Sequence, residues 1–301
     1  MVALTYRKVF IGDINILCMK KVEKKKAMYS FYPHIVRNPR ITYRNLHSYS
    51  PYNSEYGTTQ FVKELFENLN FVGPYLYCNI GISVDLIRNL DKPLAFLEEK
   101  SKEKDVTHVS ALMGDYSAIV FRKGASMLNY AEHIVPLLNG KGPEDIYFEE
   151  GEPLCSDPYP HGWSETDWLV YDAMRKPRNQ YFWKIGKEIG LSSQAVRDHY
   201  YSIIKSCKVH LSLFPDGYYN YSQLLLTFRT KYETGLKKEL EKLDRTSYLF
   251  RCNDVIILVL FIDSKVYGDP CRMFKEMEET GIVYGLEASI PIEFHSDLDR
   301  F

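Results

Sequence analysis

The sequence lacks the segments that would place it in a membrane or build it around disulfides. Its longest strongly apolar run, Val255–Ile262, has eight residues, whereas a membrane-spanning helix needs about 20. No extended apolar core follows the first residues, so we expect no signal peptide. The six cysteines are scattered and include no C-x-x-C pair. This distribution argues against a structural zinc site or a disulfide framework and favours a reduced cytoplasm.

The motifs of several enzyme classes are also missing. The chain has no phosphate-cradling glycine loop, no G-x-S-x-G and no H-E-x-x-H. No pair among the histidines that we considered, His108, His133, His161, His199 and His210, has a spacing that would fix a metal. We therefore predict no metal site, no cofactor and no enzymatic activity.

Positive charge is concentrated in two parts of the chain, although the net charge is only −1. Residues 1–72 carry eleven Lys and Arg against five Asp and Glu, and residues 165–208 carry eight against five. Such local excess is what binding to DNA phosphates requires. The alternative is a pair of lysine-rich helices that simply face solvent.

Both basic segments contain a related motif. The stretch "LSSQAVRDHYYSII" begins at Leu191, and "GTTQFVKELFENL" lies 134 residues earlier. Upstream, "NPRITY" (38–43) faces "KPRNQY" (176–181), with Pro, Arg and Tyr shared. Agreement in two separated blocks indicates an internal duplication.

The hydrophobic periodicity after each motif follows the order βαββαβ, which is typical of a ferredoxin-like domain. In the first copy we predict strands at 75–84, 106–113, 116–122 and 144–150, with helices at 93–104 and 126–139. In the second copy we predict strands at 221–230, 246–251, 255–262 and 284–294, with helices at 235–243 and 270–280. The predicted class is α+β, with two helix-turn-helix heads and two ferredoxin-like domains in tandem.

The predicted domain boundaries follow from this repeat and from a linker rich in proline and glycine. They are a first head at 1–72, a first sheet domain at 73–150, a linker at 151–163, a second head at 164–210 and a second sheet domain at 211–301.

The second head carries the clearer signs of a helix-turn-helix. Ser164 and Asp167 begin one helix, Gly190 ends the next, and Ser192 caps a third. In that third helix Val196, Tyr200 and Ile203 are spaced to face the core, and the opposite face carries Ser193, Gln194, Arg197 and Tyr201. Hydroxyl, amide and guanidinium groups near a helix N-terminus read base edges and clamp phosphates in a major groove.

Further residues complete the predicted DNA-binding surface. On the second head they are the phosphate-neutralising Arg175, Lys176, Arg178 and Lys184, together with the cap residue Ser192. On the first head, which is degenerate and has a longer turn, they are Arg40, Thr58, Thr59, Gln60 and Lys63.

A helix-turn-helix followed by βαββαβ, with "ALMGDYSAIVF" at the hairpin between the second and third strands of the first copy, resembles the leucine-responsive regulator (Lrp/AsnC) family of bacteria and archaea. The resemblance covers most of the chain, once in each half, and points to the archaeal type. It implies that Gly114, Asp115 and Tyr116 mark an effector site for an amino-acid-like small molecule. The sequence departs from the family at His199, where an arginine is frequent, and in the second hairpin (250–258), which has lost the glycine. A two-residue turn without a ligand is the alternative interpretation of Gly114 and Asp115.

The resemblance implies a cytoplasmic transcription regulator that binds double-stranded DNA and no membrane. Family members dimerise through the sheet domain, so a tandem chain is expected to form an internal pseudo-dimer, and pairing with a second copy stays open. Two alternatives stay open as well. One is an enzyme similar to the siroheme decarboxylases, which look like the same family and use His and basic residues around the tetrapyrrole. The other is a protein-interaction module with relic heads.

Overall fold

The computed structural model describes most of the chain, but the first 22 residues of the predicted first head lie outside it. The described residues are 23–124, 127–137, 140–263 and 268–296. The first head contains helices α1 (residues 23–37), α2 (Tyr43–His47) and α3 (Glu55–Glu67). The side chains of Thr42 and Ser54 cap α2 and α3 by accepting hydrogen bonds from N–H groups of the first turn.

The second head contains helices α5 (Glu165–Met174), α6 (Phe182–Ile189) and α7 (Ser193–Ile203). Its helix ends are those predicted from the sequence: a capping box of Ser164 with Asp167, a left-handed Gly190 after α6, and Ser192 as the cap of α7. The predicted inward face of α7 is confirmed, because Val196, Tyr200 and Ile203 are buried.

The strands that follow the two heads join them. Strand β1 (Phe71–Tyr77) follows the first head and pairs antiparallel with β6 (Lys208–Leu213), which follows the second head. Phe71 lies opposite Leu213, and the register is interrupted by a bulge between Val72 and Tyr75. This two-stranded ribbon anchors each head to the other half of the chain.

The remaining strands form one antiparallel sheet in the order β2-β4-β3-β10-β7-β9-β8-β5. Their bounds are β2 (Ile82–Ile87), β3 (Val106–Gly114), β4 (Ala118–Lys123), β5 (Leu128–His133), β7 (Ser222–Arg229), β8 (Tyr248–Cys252), β9 (Val255–Ile262) and β10 (Tyr284–Ser296). The sheet curls until its ends meet, since Met127 N donates to Ile82 O at 3.1 Å beside β2 and β5. Each half contributes four strands, which are neighbours around this curl, and the two sets meet where β3 pairs with β10 and where β5 pairs with β8. The α+β class is confirmed.

Three helices cover the outer face of the sheet: α4 (Pro93–Lys100), α8 (Glu233–Glu241) and α9 (Gly268–Glu279). Leu236 and Phe274 pack on residues such as Leu226, which point outward from the strands. The neighbouring Leu225 belongs to a separate cluster on the inner face. This alternation follows from the period of two in a strand.

The predicted helix at 126–139 is wrong over the described residues 127–137. After a turn at Gly124 the chain forms β5, which pairs with β8 of the second half, Ala131 lying opposite Phe250. The buried Leu128, Ala131 and Ile134 are spaced as in a helix, which explains the error. Pairing with an otherwise open sheet edge overrides this local pattern, because it satisfies the backbone hydrogen-bonding groups of both strands.

The predicted strand at 144–150 is also wrong, because that segment is irregular after a short 3₁₀ turn at Pro143–Asp145. Ile146 and Phe148 instead pack into the core of the second half, together with Leu154 of the predicted linker. Among the described residues, no helix has the length and apolar character needed to cross a membrane.

Candidate DNA interface and interior cavity

The outward face of α7 brings together the residues predicted to approach DNA bases. Ser193, Gln194 and Arg197 are exposed, and Tyr201 follows on the same side with half of its surface accessible. The amide nitrogen of Gln194 donates to Asp198 Oδ1 at 2.8 Å, which holds the side chain along the helix. Arg197 makes no ion pair with a described residue and projects freely, so a guanidinium is available near the N-terminus of the helix.

The flank of this face is basic and aromatic. Lys184 and Lys187 of α6 are exposed, and Trp183 and Tyr181 beside them are each more than 60 % accessible. Lys184 lies 4.0 Å from Glu188, an exposed pair that restrains it weakly. Arg175, in contrast, is buried over the ring of Tyr171 and offers no surface to a phosphate.

The corresponding face of α3 in the first head differs in both shape and charge. Thr58 is completely buried, and its hydroxyl is hydrogen-bonded to His47 Nδ1 at 2.9 Å and to Ser50 Oγ at 2.7 Å. Thr59 and Gln60 are half-buried, and Lys63 is exposed. The exposed acidic residues of this helix, which disfavour contact with phosphates, are Glu55, Glu64 and Glu67.

Arg40 and Arg178, which were predicted to contact DNA, are directed towards the opposite head. Arg40 Nη1 donates to Pro177 O at 3.1 Å, and Arg178 Nη1 donates to Ile41 O at 3.3 Å. Burial lowers the pKa of both guanidinium groups. We therefore leave Arg40, Arg178 and the buried Thr58 out of the DNA-facing surface.

The hairpin turn predicted to bind an effector is engaged in the contact between the two halves. Asp115 Oδ2 accepts a hydrogen bond from Ala288 N at 2.7 Å, and Tyr116 N donates to Ser289 Oγ at 3.0 Å. Gly114 has a φ of +137°, and a Cβ at this position would overlap the carbonyl oxygen of Ala288. These contacts give the three residues a structural role, and effector binding by them stays a prediction.

The sequence did not reveal a cavity of about 250 Å³ inside the curled sheet. Among the described residues that line it, none is a lysine or an arginine. The lining is mainly aromatic and aliphatic, and includes Tyr75, Phe121, Tyr218, Tyr248, Phe250, Ile257, Val259 and Phe294, with His108 and His133 as the titratable rings.

Both cavity histidines are held in the neutral form. Burial lowers the pKa of His108 to about 4, with a smaller contribution from His295, and burial lowers the pKa of His133 to about 3. Both rings are half-buried, and His133 also lines a second cleft beside Asp157 and Lys208. His133 Nδ1 lies 2.9 Å from Ser212 Oγ, whereas His108 makes no hydrogen bond with a described residue.

His133 belongs to a stack of four rings that crosses between the ribbon and the sheet. The ring of His210 lies 4.8 Å from Tyr77 and 4.4 Å from His133, and His133 lies 4.0 Å from Tyr248. The alternation of side chains along β3 could have predicted that His108 lies on the same inward face as Ser110. The stack of four rings could not be predicted in this way, because its members come from segments distant in sequence. The described residues contain no group of three or more His, Cys, Asp or Glu that could hold a metal ion.

Comparison with known proteins gave similarity in structure only. No family model matches the sequence, and no curated protein matches it. Two solved structures are similar in fold: the siroheme decarboxylase NirDL, and the same enzyme in co-complex with an iron-uroporphyrin III analogue. Each is 8% identical in sequence and aligns over 80% of this chain and 82% of its own, with TM-scores of 0.46 and 0.44.

These neighbours correct one expectation. The prediction that the chain is not an enzyme is contradicted, because both similar structures are enzymes. At this level of identity and TM-score the likeness concerns the fold, and it assigns no reaction to this chain. Membership of the Lrp/AsnC family is likewise not shown by any family model or related sequence.

Proposed function

We propose that this chain is a sequence-specific DNA-binding regulator of the Lrp/AsnC type. In this proposal the heads are helix-turn-helix units, and the curled sheet is a pseudo-dimer of two ferredoxin-like domains. The observation that carries it is the face of α7 on which Ser193, Gln194 and Arg197 are exposed, beside the exposed Lys184 and Lys187 of α6. Residues of this kind at the start of a recognition helix contact base edges and phosphates.

The second head is the principal DNA-binding element in this proposal. Its exposed face carries Arg197 with the two lysines of α6, whereas the face of α3 carries Lys63 among three glutamates. Because a phosphate backbone repels carboxylates, the first head contributes less to affinity. The target sequence is then read mainly by one head and need not be palindromic.

The test is fluorescence-anisotropy binding to a duplex from the protein's own promoter, with a random duplex as the control, across a salt series. If Arg197 contacts a base, Arg197→Ala should weaken promoter binding by about 1–3 kcal/mol, roughly 5- to 150-fold. Lys63→Ala, the matched change on the first head, should have a much smaller effect. Equal and salt-insensitive binding to both duplexes would rule out the regulator.

A second candidate function is ligand binding in the interior cavity, as an effector or as a substrate. The specific observation is His108, a neutral ring without a hydrogen-bond partner among the described residues, in a mainly apolar cavity. A neutral aromatic molecule fits this lining. A carboxylate-rich tetrapyrrole does not, because no described basic residue lines the cavity and its volume of about 250 Å³ lies below the usual range of ligand pockets.

Calorimetric titration with indole, a neutral aromatic probe, tests this candidate. We expect saturable binding that His108→Ala weakens and that His161→Ala, a change at an exposed position, leaves intact. Two results together would refute the neutral ligand and favour a tetrapyrrole: indole does not bind, and iron uroporphyrin shows an absorbance shift with the parent chain that His108→Ala abolishes.

A further inference from the structure

A cleft of about 450 Å³ lies where the first head, the ribbon and the second head meet. Helix α3 contributes Lys63, Phe66 and Glu67, and the turn after α5 contributes Lys176 and Arg178. Basic groups from both heads thus converge on one cleft, with a single carboxylate among the charged side chains that line it. The positive charges that line this cleft outnumber the negative ones, which favours the binding of an anion.

Arg178 is the most buried of these basic groups, and its hydrogen-bonding capacity is only partly used. Its Nη1 atom makes one hydrogen bond, 3.3 Å long, to Ile41 O, and its Nε atom is buried without a partner. No described carboxylate forms an ion pair with it. Burial lowers its pKa, an effect that the neighbouring hydroxyl of Tyr43 offsets only in part.

The orientation of the Arg178 guanidinium is nevertheless fixed. Its central carbon lies 5.1 Å from the centre of the Tyr43 ring and 5.0 Å from that of Phe66. A guanidinium presents five N–H donors in a rigid fork that matches an oxyanion in two places. A guanidinium group with a fixed orientation and unused N–H donors, in a partly desolvated cleft, stabilises an anion more strongly than a mobile surface lysine does.

The other half of the chain supplies a natural comparison. Arg40 is the counterpart of Arg178 in the repeated motif, and it also lies between aromatic rings, 4.0 Å from Phe182 and 5.5 Å from Tyr200. It donates to Pro177 O but is not among the residues that line this cleft. The two arginines therefore have similar structural surroundings, and only one of them faces the converging lysines.

We propose that this cleft binds a small oxyanion, a phosphate or a carboxylate group, through Arg178 with Lys63 as the second cationic contact. The aromatic walls hold the fork of Arg178, and Lys63 closes over the anion from α3. Because the cleft joins both heads, a bound anion stabilises their contact. This inference does not depend on whether α7 binds DNA.

The test is isothermal titration of the full chain with inorganic phosphate and, separately, with benzoate, at constant ionic strength maintained with chloride. We expect saturable binding of at least one anion, weakened about tenfold or more by Arg178→Gln, since a hydrogen bond to a charged group contributes about 1.5–3 kcal/mol. Arg40→Gln is the matched control: it loosens the same contact between the heads but removes no group that lines the cleft, so it should weaken binding much less than Arg178→Gln. Lys63→Gln changes an exposed side chain without an ion pair, so it tests the site without threatening the fold.

The outcomes separate the proposal from its alternatives. Absence of saturable binding of both anions, or equal losses in Arg40→Gln and Arg178→Gln, would overturn it. Unchanged affinity in Lys63→Gln would remove Lys63 from the site and would also contradict it. A parallel DNA titration identifies the source of the oxyanion: if Arg178→Gln lowers DNA affinity and its salt dependence, the bound group is a backbone phosphate, and if only the binding of free anions changes, it is a small molecule.

Discussion

Arg40 of the first head and Arg178 of the second head cross the contact between the heads in opposite directions. Each donates to a backbone carbonyl of the other head, Pro177 O and Ile41 O respectively. Each also lies over an aromatic residue at matching positions of the repeat, Tyr200 for Arg40 and Phe66 for Arg178. The two arginines thus form a reciprocal clasp that holds the two heads together.

Breaking this clasp should destabilise the chain. Arg40→Ala and Arg178→Ala each remove a charge-assisted hydrogen bond and a cation–π contact, so each should lower the free energy of unfolding by about 1–3 kcal/mol. The double variant should lose less than the sum, because both arginines stabilise the same contact. Urea denaturation measures these differences, with the exposed Lys187→Ala as a control expected within about 0.5 kcal/mol of the parent. Strict additivity would indicate that the two arginines act independently.

The cavity histidines should make stability depend on pH. Because the pKa of His108 is about 4 in the folded chain and roughly 6.5 when unfolded, the unfolded state binds the proton first as the pH falls. The titration of His108 leaves the free energy of unfolding unchanged above about pH 6.5. Between about pH 6.5 and pH 4 it lowers that free energy by about 1.4 kcal/mol per pH unit. His133, with a pKa of about 3, acts in the same direction.

His108→Phe should therefore reduce the loss of stability between pH 7.5 and pH 5, because the ring that resists protonation has been removed. Urea denaturation of the parent and the variant at both pH values measures this. A difference between the two proteins that stays constant across this range would show that His108 does not titrate as its burial requires.

Alanine substitutions at two glycines with positive φ separate the cost of backbone strain from the cost of a steric clash. An alanine at Gly124, with φ +122° and no atom near the added Cβ, should cost about 1–3 kcal/mol through strain alone. An alanine at Gly114 meets the backbone of Ala288 and, at 2.9 Å, Ser289 Cα. Gly114→Ala should therefore destabilise the chain more than Gly124→Ala, because β3 and β10 must move apart. Equal midpoints of thermal unfolding in the two variants would contradict the close approach.

The predicted linker is anchored at Leu154 by a buried ion pair. Arg251 Nη1 lies 2.9 Å from Glu233 Oε2, which also accepts a hydrogen bond from Leu154 N at 2.7 Å. Glu233→Gln leaves Arg251 without its counter-charge and should cost about 3–5 kcal/mol. Asp254→Asn breaks the exposed pair with Arg229 and should cost no more than about 1 kcal/mol. Urea denaturation compares the two, and similar costs would show that burial of the first pair has little effect.

Local patterns predicted the elements whose partners lie nearby in the sequence. The caps at Ser164 and Ser192, the end of α6 at Gly190 and the inward face of α7 all depend on contacts within a few residues, and the structure contains each of them. Strand β9 was predicted with its observed bounds, because a short β-branched run flanked by turns has few other ways to bury itself.

The errors arose where a distant segment competes with local preference. The segment at 127–137 carries apolar residues at helical spacing, yet it forms β5 because β8, more than a hundred residues later, offers an open edge. Arg40 and Arg178 were assigned to DNA because basic residues beside a recognition helix usually face outward. Their true partners are carbonyls and rings of the other head, which no pattern within one head can indicate.

The sequence by itself determined the helices of the second head and the exposed polar face of α7, because these depend on periodicity and capping over short distances. Only the tertiary structure decided that eight strands from both halves close around a mainly apolar cavity and that His133 and His210, from separate segments, stack on each other. It also decided that two arginines clasp the heads. The physical reason is that burial, hydrogen bonding and charge compensation are satisfied between segments distant in sequence, and those partners exist only once the chain has folded.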